Sequence, residues 1–230
     1  MTFSEDDQVL ILGANSRIAR TLLKKMETSY PDVTLVSKSA IDDLNLKPYS
    51  FVSLNLNEQK SVENFIMKIG EKKFDFIYIF IGAVSDLETT SSSLEEITKY
   101  YVAFAASLNF LISKLQNNLK SSSTLIFLSS RAAHRPSYDA HYSAVKASTE
   151  AFIKSIANKS HTKRFLILAP SLIEDTRIYE DMSPETIKAH RDRTSNSLLT
   201  LEEVAVIIFA MSFDRNTYLS GSTTCIGRDW

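Results

Sequence analysis

The sequence predicts an α/β protein, a doubly wound parallel sheet with helices on both faces. Apolar runs of strand length recur at 9–12, 33–36, 51–54, 76–81, 125–128 and 165–169, with a last short run at 223–226. These runs are continuous rather than alternating, as expected for strands buried on both faces. Segments with helical spacing lie between them, so strand and helix alternate along the chain. Ile18, Leu22, Leu23 and Met26 share one helical face after the first run. Val62, Phe65, Ile66 and Ile69 do the same after the third. Longer helices are predicted over 94–119 and 142–157, and one more over 201–211. Serine clusters at 91–93 and 121–123 are too short for linkers and read as turns. One domain over residues 1–230 accommodates every element.

Composition narrows the function classes. The chain has 230 residues, 44% apolar and 23% charged, which supports a folded domain and argues against disorder. Its 26 basic and 27 acidic side chains leave a net charge of -1, so the basic footprint of a nucleic-acid binder is missing. Cys225 stands alone and the 4 histidines are scattered, so neither an internal disulfide nor a metal site is supported. No apolar stretch approaches the roughly 18 residues of a membrane span. The acidic segment 1–8 has no apolar signal core, and the chain is expected to be cytoplasmic.

In such sheets ligands bind outside the carboxyl ends of the strands, near the point where strand order reverses. The first strand-to-helix turn reads Leu12-Gly13-Ala14-Asn15-Ser16-Arg17-Ile18-Ala19. Gly13 permits a tight turn, and Asn15 and Ser16 can cap the helix that follows. Open amides at that helix N-terminus favour a pyrophosphate. With a single glycine, the turn reads equally well as an ordinary capped connection. The second strand ends in Ser37-Lys38, which suits the 2′-phosphate of NADP(H) better than the ribose diol of NAD. Arg17 could approach the same phosphate from the glycine turn. A solvated lysine is the plainer account of Lys38.

The fifth strand ends in Ser129-Ser130, and Tyr142-Ser143-Ala144-Val145-Lys146 follows. Tyr142 and Lys146 are four apart and share one helical face. A phenol is a poor acid–base group at neutral pH, but a nearby ammonium favours the phenolate. A serine hydroxyl opposite can hold the substrate oxygen as its charge changes. A Tyr-x-x-x-Lys pair is common by chance; after a buried strand ending in Ser-Ser it is far less so.

With these residues the sequence resembles the short-chain dehydrogenase/reductase family from Val9 to about Gly227. Leu168-Ala169-Pro170, Thr200-Leu201-Glu202-Glu203-Val204-Ala205 and Leu219-Ser220-Gly221 extend the likeness. The resemblance implies a Rossmann-type sheet and makes Tyr142 the proton donor or acceptor. It makes Lys146 the residue that holds the nicotinamide ribose and tunes Tyr142. The strand-end serine that binds the carbonyl oxygen is taken as Ser130. The family's usual spacing would give Ser129, and choosing Ser130 makes the intervening loop one residue shorter. For the cofactor, the resemblance implies Asn55 and Leu56 beside adenine and Gly82 where backbone passes the ribose. It sets Pro170 and Ile173 against the nicotinamide carboxamide, with Thr176 near the family's threonine. Gly13, Asn15, Ser16, Arg17 and Ile18 complete the expected cofactor loop.

The sequence departs from the family at several positions. Arg17 and Ala19 replace loop glycines, Ile79-Phe80-Ile81-Gly82 replaces Asn-Asn-Ala-Gly, and Ser171 replaces the glycine after Pro170. Tyr101 and Val102 occupy the region of the usual relay asparagine. Arg131, His134, Arg135, Tyr138 and His141 between the serines and Tyr142 suggest a substrate bearing phosphate or carboxylate. Residues 173–196, with a helix start at Ser183-Pro184-Glu185, are expected to form a lid. The expected function is an NADP(H)-dependent oxidoreductase that interconverts a carbonyl and an alcohol. A dinucleotide-binding regulator without chemistry and a sugar-nucleotide-modifying enzyme are the alternatives. The family likeness also implies a homodimer or homotetramer built on the two long helices, for which Phe104, Leu108 and Leu111 could supply either a neighbour-facing or a core surface. A small-molecule substrate is the expected partner, with no nucleic acid and no membrane.

Overall fold

In the computed structural model, residues 2–27, 29, 31–39, 49–85, 87, 91–195, 197–214 and 219–227 are described. The apolar runs become β1 (Gln8–Leu12), β2 (Asp32–Ser37), β3 (Ser50–Ser53), β4 (Phe74–Ile79), β5 (Leu119–Leu128), β6 (Arg164–Pro170) and β7 (Thr223–Ile226). All pair in parallel in one 7-stranded sheet of order β3-β2-β1-β4-β5-β6-β7, a doubly wound Rossmann-type arrangement. The strand order reverses between β1 and β4, which opens a crevice beyond their carboxyl ends.

Alternation within β1 builds a core on each face. Leu10 and Leu12 pack in one cluster with Phe65, Leu111 and Ile153. Val9 and Ile11 pack on the other face with Leu22, Leu23 and Ile208. The first layer comes from α2 (Gln59–Ile69), α4 (Leu108–Leu115) and α5 (Ala140–Ala157), the second from α1 (Arg17–Met26) and α8 (Leu201–Phe213). Side chains cap the helix starts: Ser16 accepts from one amide of α1, Asp139 caps α5, and Thr200 with Glu203 forms a capping box on α8.

The predicted helix over 94–119 is not one regular helix. It runs as α3 (Leu94–Tyr101), a wider π turn (Val102–Ser107), α4 and a short 3-10 turn (Gln116–Asn118). Leu108 and Leu111 are fully buried, and Phe104 packs against the same core, so they form the core face. The exposed large apolar residues on these elements are Leu94, Val102 and Phe110 instead. The serine cluster at 121–123 is not a turn either, since it lies within β5. There Ser122 adopts a positive φ of 63 and the pairing with β4 shifts register between Phe74 and Phe76. A local bulge absorbs the polar residues without ending the strand. After β6 come α6 (Arg177–Glu180) and α7 (Pro184–Arg193). The last residue of the expected lid, 196, lies outside the described residues.

Candidate functional site

The crevice at the reversal point is a cleft of about 1210 Å³. Its floor begins at Gly13, whose φ is 82 and whose hypothetical Cβ would stand 2.8 Å from the carbonyl carbon of Phe80. Only glycine lets the end of β1 lie against the end of β4 in this way. The amides of Gly13 and Ala14 donate to the Val36 carbonyl at 2.9 and 3.0 Å, tying the turn to β2. Ser16 accepts from the Ala19 amide at 3.1 Å and is the cap of α1. Asn15 is not a cap: its side chain donates to the carbonyl and hydroxyl of Ser39 at 3.3 and 3.1 Å. Arg17 crosses the cleft to the segment after β6. Its Nη1 donates to the Asp175 carbonyl at 2.6 Å, and Nη2 donates to Glu180 Oε2 at 2.9 Å.

At one end the cleft is lined by Ser37, Lys38, Asn55 and Leu56. Ser37 is buried and donates to the Ser39 carbonyl at 2.5 Å, while Lys38 is exposed. The Asn55 amide nitrogen of the backbone donates to Ser61 Oγ at 2.9 Å, and its side chain donates to Glu58 at 2.5 Å.

Farther along lie Ser130, Tyr142 and Lys146. Helix α5 positions the last two on one face, and Asp139 pins its start by accepting from the Tyr142 amide at 2.8 Å. The same carboxylate accepts from the amide and hydroxyl of Ser85 at 2.6 and 2.7 Å, drawing the chain after β4 onto the helix. Lys146 is buried, and its Nζ donates to the carbonyls of Leu128 at 2.8 Å and Ile81 at 3.2 Å. It also sits 4.8 Å from the centroid of the Phe127 ring. Ser130 Oγ accepts from the Ala132 amide at 3.2 Å and lies close enough to the Tyr142 phenol to favour its ionised form. Ser129 does not share in this arrangement, because its buried hydroxyl donates to Glu150.

Burial dominates the electrostatics. It pushes the Tyr142 phenol up to about 12, opposed by the nearby Ser130 hydroxyl and helped by Tyr138 and Asp139. It pushes Lys146 down to about 7, against the attraction of Glu150. Both groups are therefore held toward their neutral forms, and any positive charge brought into the site favours the phenolate.

Behind the cleft wall, Glu150 is a supporting residue that sequence reasoning missed. It is 2% exposed and accepts from Ser129, from Thr223 at 3.0 Å and from Lys154 at 3.3 Å, with His134 Nε2 3.0 Å away. The i, i+4, i+8 spacing of Tyr142, Lys146 and Glu150 was the available signal, because it sets a carboxylate on the helical face that carries the lysine. His134 is thereby drawn to Glu150, and His141 lies 3.4 Å from the Tyr101 hydroxyl; neither lines the cleft. Arg131, Arg135 and Tyr138 do line it, joined from α7 by Ala189, His190 and Arg193. The π turn contributes Ala103 and Phe104 rather than Tyr101 and Val102, so no polar side chain comes from that helix. Among the described residues, no group of His, Cys, Asp and Glu could hold a metal ion. None of the helices among them is long and apolar enough to cross a membrane.

A dinucleotide fits these residues on two counts. A Cβ on Gly82 would stand 2.7 Å from Lys146 Nζ, so backbone is kept bare where a ribose is expected to pass. In the same cleft wall, Ser171 Oγ is buried without a hydrogen-bond partner among the described residues, beside Pro170 and near Ile173.

The family model described as Enoyl-(Acyl carrier protein) reductase, a short-chain dehydrogenase model, matches residues 31–227. The chain belongs to the short-chain dehydrogenase/reductase family. No curated protein sequence matches it significantly. Solved structures share its fold at low identity. A short-chain dehydrogenase family protein from Francisella tularensis superposes with a TM-score of 0.85 at 18% identity, covering 96% of this chain and 97% of that one. A 4-hydroxyisoleucine dehydrogenase complexed with NADH gives 0.85 at 16%, covering 98% of both chains. A short-chain dehydrogenase from Burkholderia cenocepacia in complex with NADP gives 0.82 at 15%, covering 99% and 98%.

Proposed function

We propose that the protein is an NADP(H)-dependent oxidoreductase that interconverts a carbonyl and an alcohol. The observation that carries this reading is the grouping of Ser130, Tyr142 and buried Lys146, one helical turn on from Tyr142, at the wall of a dinucleotide-sized cleft. The dinucleotide, when bound, supplies or takes up the hydride. Gly13, Ser16, Ile18 and the open amides of α1 would receive its phosphates, Asn55 and Leu56 its adenine, and Gly82, Pro170 and Ile173 its nicotinamide half. Asn15 would act indirectly, by holding Ser39 beside Ser37 and Lys38. The end of β2 offers Ser37 and Lys38 and no carboxylate, which supports NADP(H) over NAD(H).

Ser130 would share its hydroxyl between the phenol and the substrate oxygen, keeping that oxygen within reach of Tyr142 Oη. Tyr142 would give its proton to a developing alkoxide, or take one from an alcohol. Lys146 would stabilise the phenolate from its place between the Ile81 and Leu128 carbonyls. Arg131, Arg135 and Arg193 in the cleft wall favour substrates that carry a negative charge. Residues 173–196 would act as the lid over them. Exposed Val102 and Phe110 support association with a second copy along α3 and α4.

The test is NADPH consumption across aldehydes, ketones, 2-oxo acids and sugar phosphates, run with wild type and Tyr142→Phe. A wild-type rate that falls by roughly 10²–10⁴-fold in the variant is expected. Equal rates would contradict the assignment. A second reading, a dinucleotide-binding regulator without turnover, draws on Tyr101 and Val102 in the region of the usual relay asparagine, neither of which lines the cleft. NADPH binding with no consumption of any compound would favour it.

A further inference from the structure

The bridge between Arg17 and Glu180 joins the two walls of the cleft at the start of α1. Nη1 lies 2.7 Å from Glu180 Oε1 while Nη2 donates to Oε2 at 2.9 Å, so the guanidinium grips the carboxylate with both prongs. Nη1 also reaches the carbonyl of Asp175, whose φ of 56 turns that carbonyl out of the ordinary backbone path. The two side chains are 45% and 52% exposed, so solvent screens the pair and it contributes little to stability. It is built to exchange rather than to hold the fold.

Arg17 is the first residue of α1, whose open amides would receive the dinucleotide's pyrophosphate. Arg17 and Glu180 both line the cleft there. A carboxylate and a phosphate offer a guanidinium the same paired oxygen acceptors. Two anions competing for one cation at one helix end exclude each other.

We propose that Glu180 is an intramolecular stand-in for phosphate, and that the dinucleotide displaces it from Arg17. On this account cofactor binding releases α6 from the glycine turn and loosens the lid, so the substrate end opens once the dinucleotide is seated. Arg17, in place of a family glycine, is then a phosphate contact as well as a lid tether. The proposal rests on the dinucleotide reading given above.

Two measurements test it together. Amide hydrogen exchange without any dinucleotide should rise across 175–193 in both Glu180→Gln and Arg17→Gln, with β1 and β4 unchanged. NADPH titration should show Glu180→Gln binding roughly tenfold tighter and Arg17→Gln roughly tenfold weaker than wild type. In the double variant the gain from Glu180→Gln should vanish. Added NADPH should also raise exchange across 175–193 in the wild type. Unchanged exchange in both single variants would overturn the tether. NADPH binding that is equal in Glu180→Gln and wild type, or a gain that persists without Arg17, would overturn the displacement and leave the dinucleotide reading intact. A wild type that binds neither NADPH nor NADH would sink the dinucleotide reading itself.

Discussion

Lys146 occupies the space that a side chain at position 82 would need: a Cβ on Gly82 would stand 2.7 Å from its Nζ and 2.9 Å from its Cε. The atoms in the way are the far end of a flexible side chain, so in Gly82→Ala the lysine gives way and the backbone stays. Turnover should fall by roughly tenfold or more as the lysine is displaced, with little change in melting temperature. Gly13→Ala should behave oppositely, since its Cβ meets the Phe80 backbone at 2.8 Å and its φ is 82. That variant should lose stability outright. Thermal melts and assays of the two variants side by side check the contrast, which fails if Gly82→Ala unfolds as readily as Gly13→Ala.

The two strand-end serines should separate cleanly. Ser130→Ala removes the hydroxyl that opposes the rise of the Tyr142 phenol, and turnover should drop by roughly 10²-fold. Ser129→Ala removes only a donor to Glu150 and should cost about 1 kcal/mol of stability while leaving turnover within a few-fold. The reverse pattern in initial-rate assays would reassign the role to Ser129.

Glu150 gathers side chains from the connection after β5, from α5 and from β7 onto one buried carboxylate. Glu150→Ala leaves those groups without their acceptor and should lower the unfolding free energy by about 2–4 kcal/mol, read by urea denaturation. Glu150→Gln, which keeps the shape and one acceptor, should lose less. Wild-type stability in both variants would mean that the hub is solvated and dispensable.

Lys146 also makes a pH prediction. Burial lowers it from 10.5 to about 7, so the unfolded chain holds this proton where the folded chain has released it. Between those two values the unfolded state binds more protons, and the contribution of Lys146 to stability rises with pH. The unfolding free energy of wild type relative to Lys146→Met should therefore climb as pH is raised from 7 toward 10.5. A difference that stays flat or falls over that window would contradict the burial argument.

The sheet was legible because its strands are buried on both faces and so read as unbroken apolar runs. The exception is the first half of β5, Leu119 to Thr124, where polar side chains and a bulge hide the strand. Tyr142 and Lys146 were legible because a helix turns their spacing into a shared face. The partner of Arg17 was not, since Glu180 lies 163 positions away and only the fold brings the two together. Asn15 looked like a cap because its residue type suits one, but Ser39 on the next connection competes for its side chain. The π turn at Val102–Ser107 rotates Ala103 and Phe104 toward the cleft, a shift that regular helical periodicity cannot anticipate.

The central claim is that this cleft holds an NADP-type dinucleotide beside Tyr142. Fluorescence titration of the purified protein with NADPH and, separately, NADH tests it most directly. The account predicts saturable NADPH binding at least roughly tenfold tighter than NADH, through the cation at the end of β2. Binding of neither dinucleotide would contradict it.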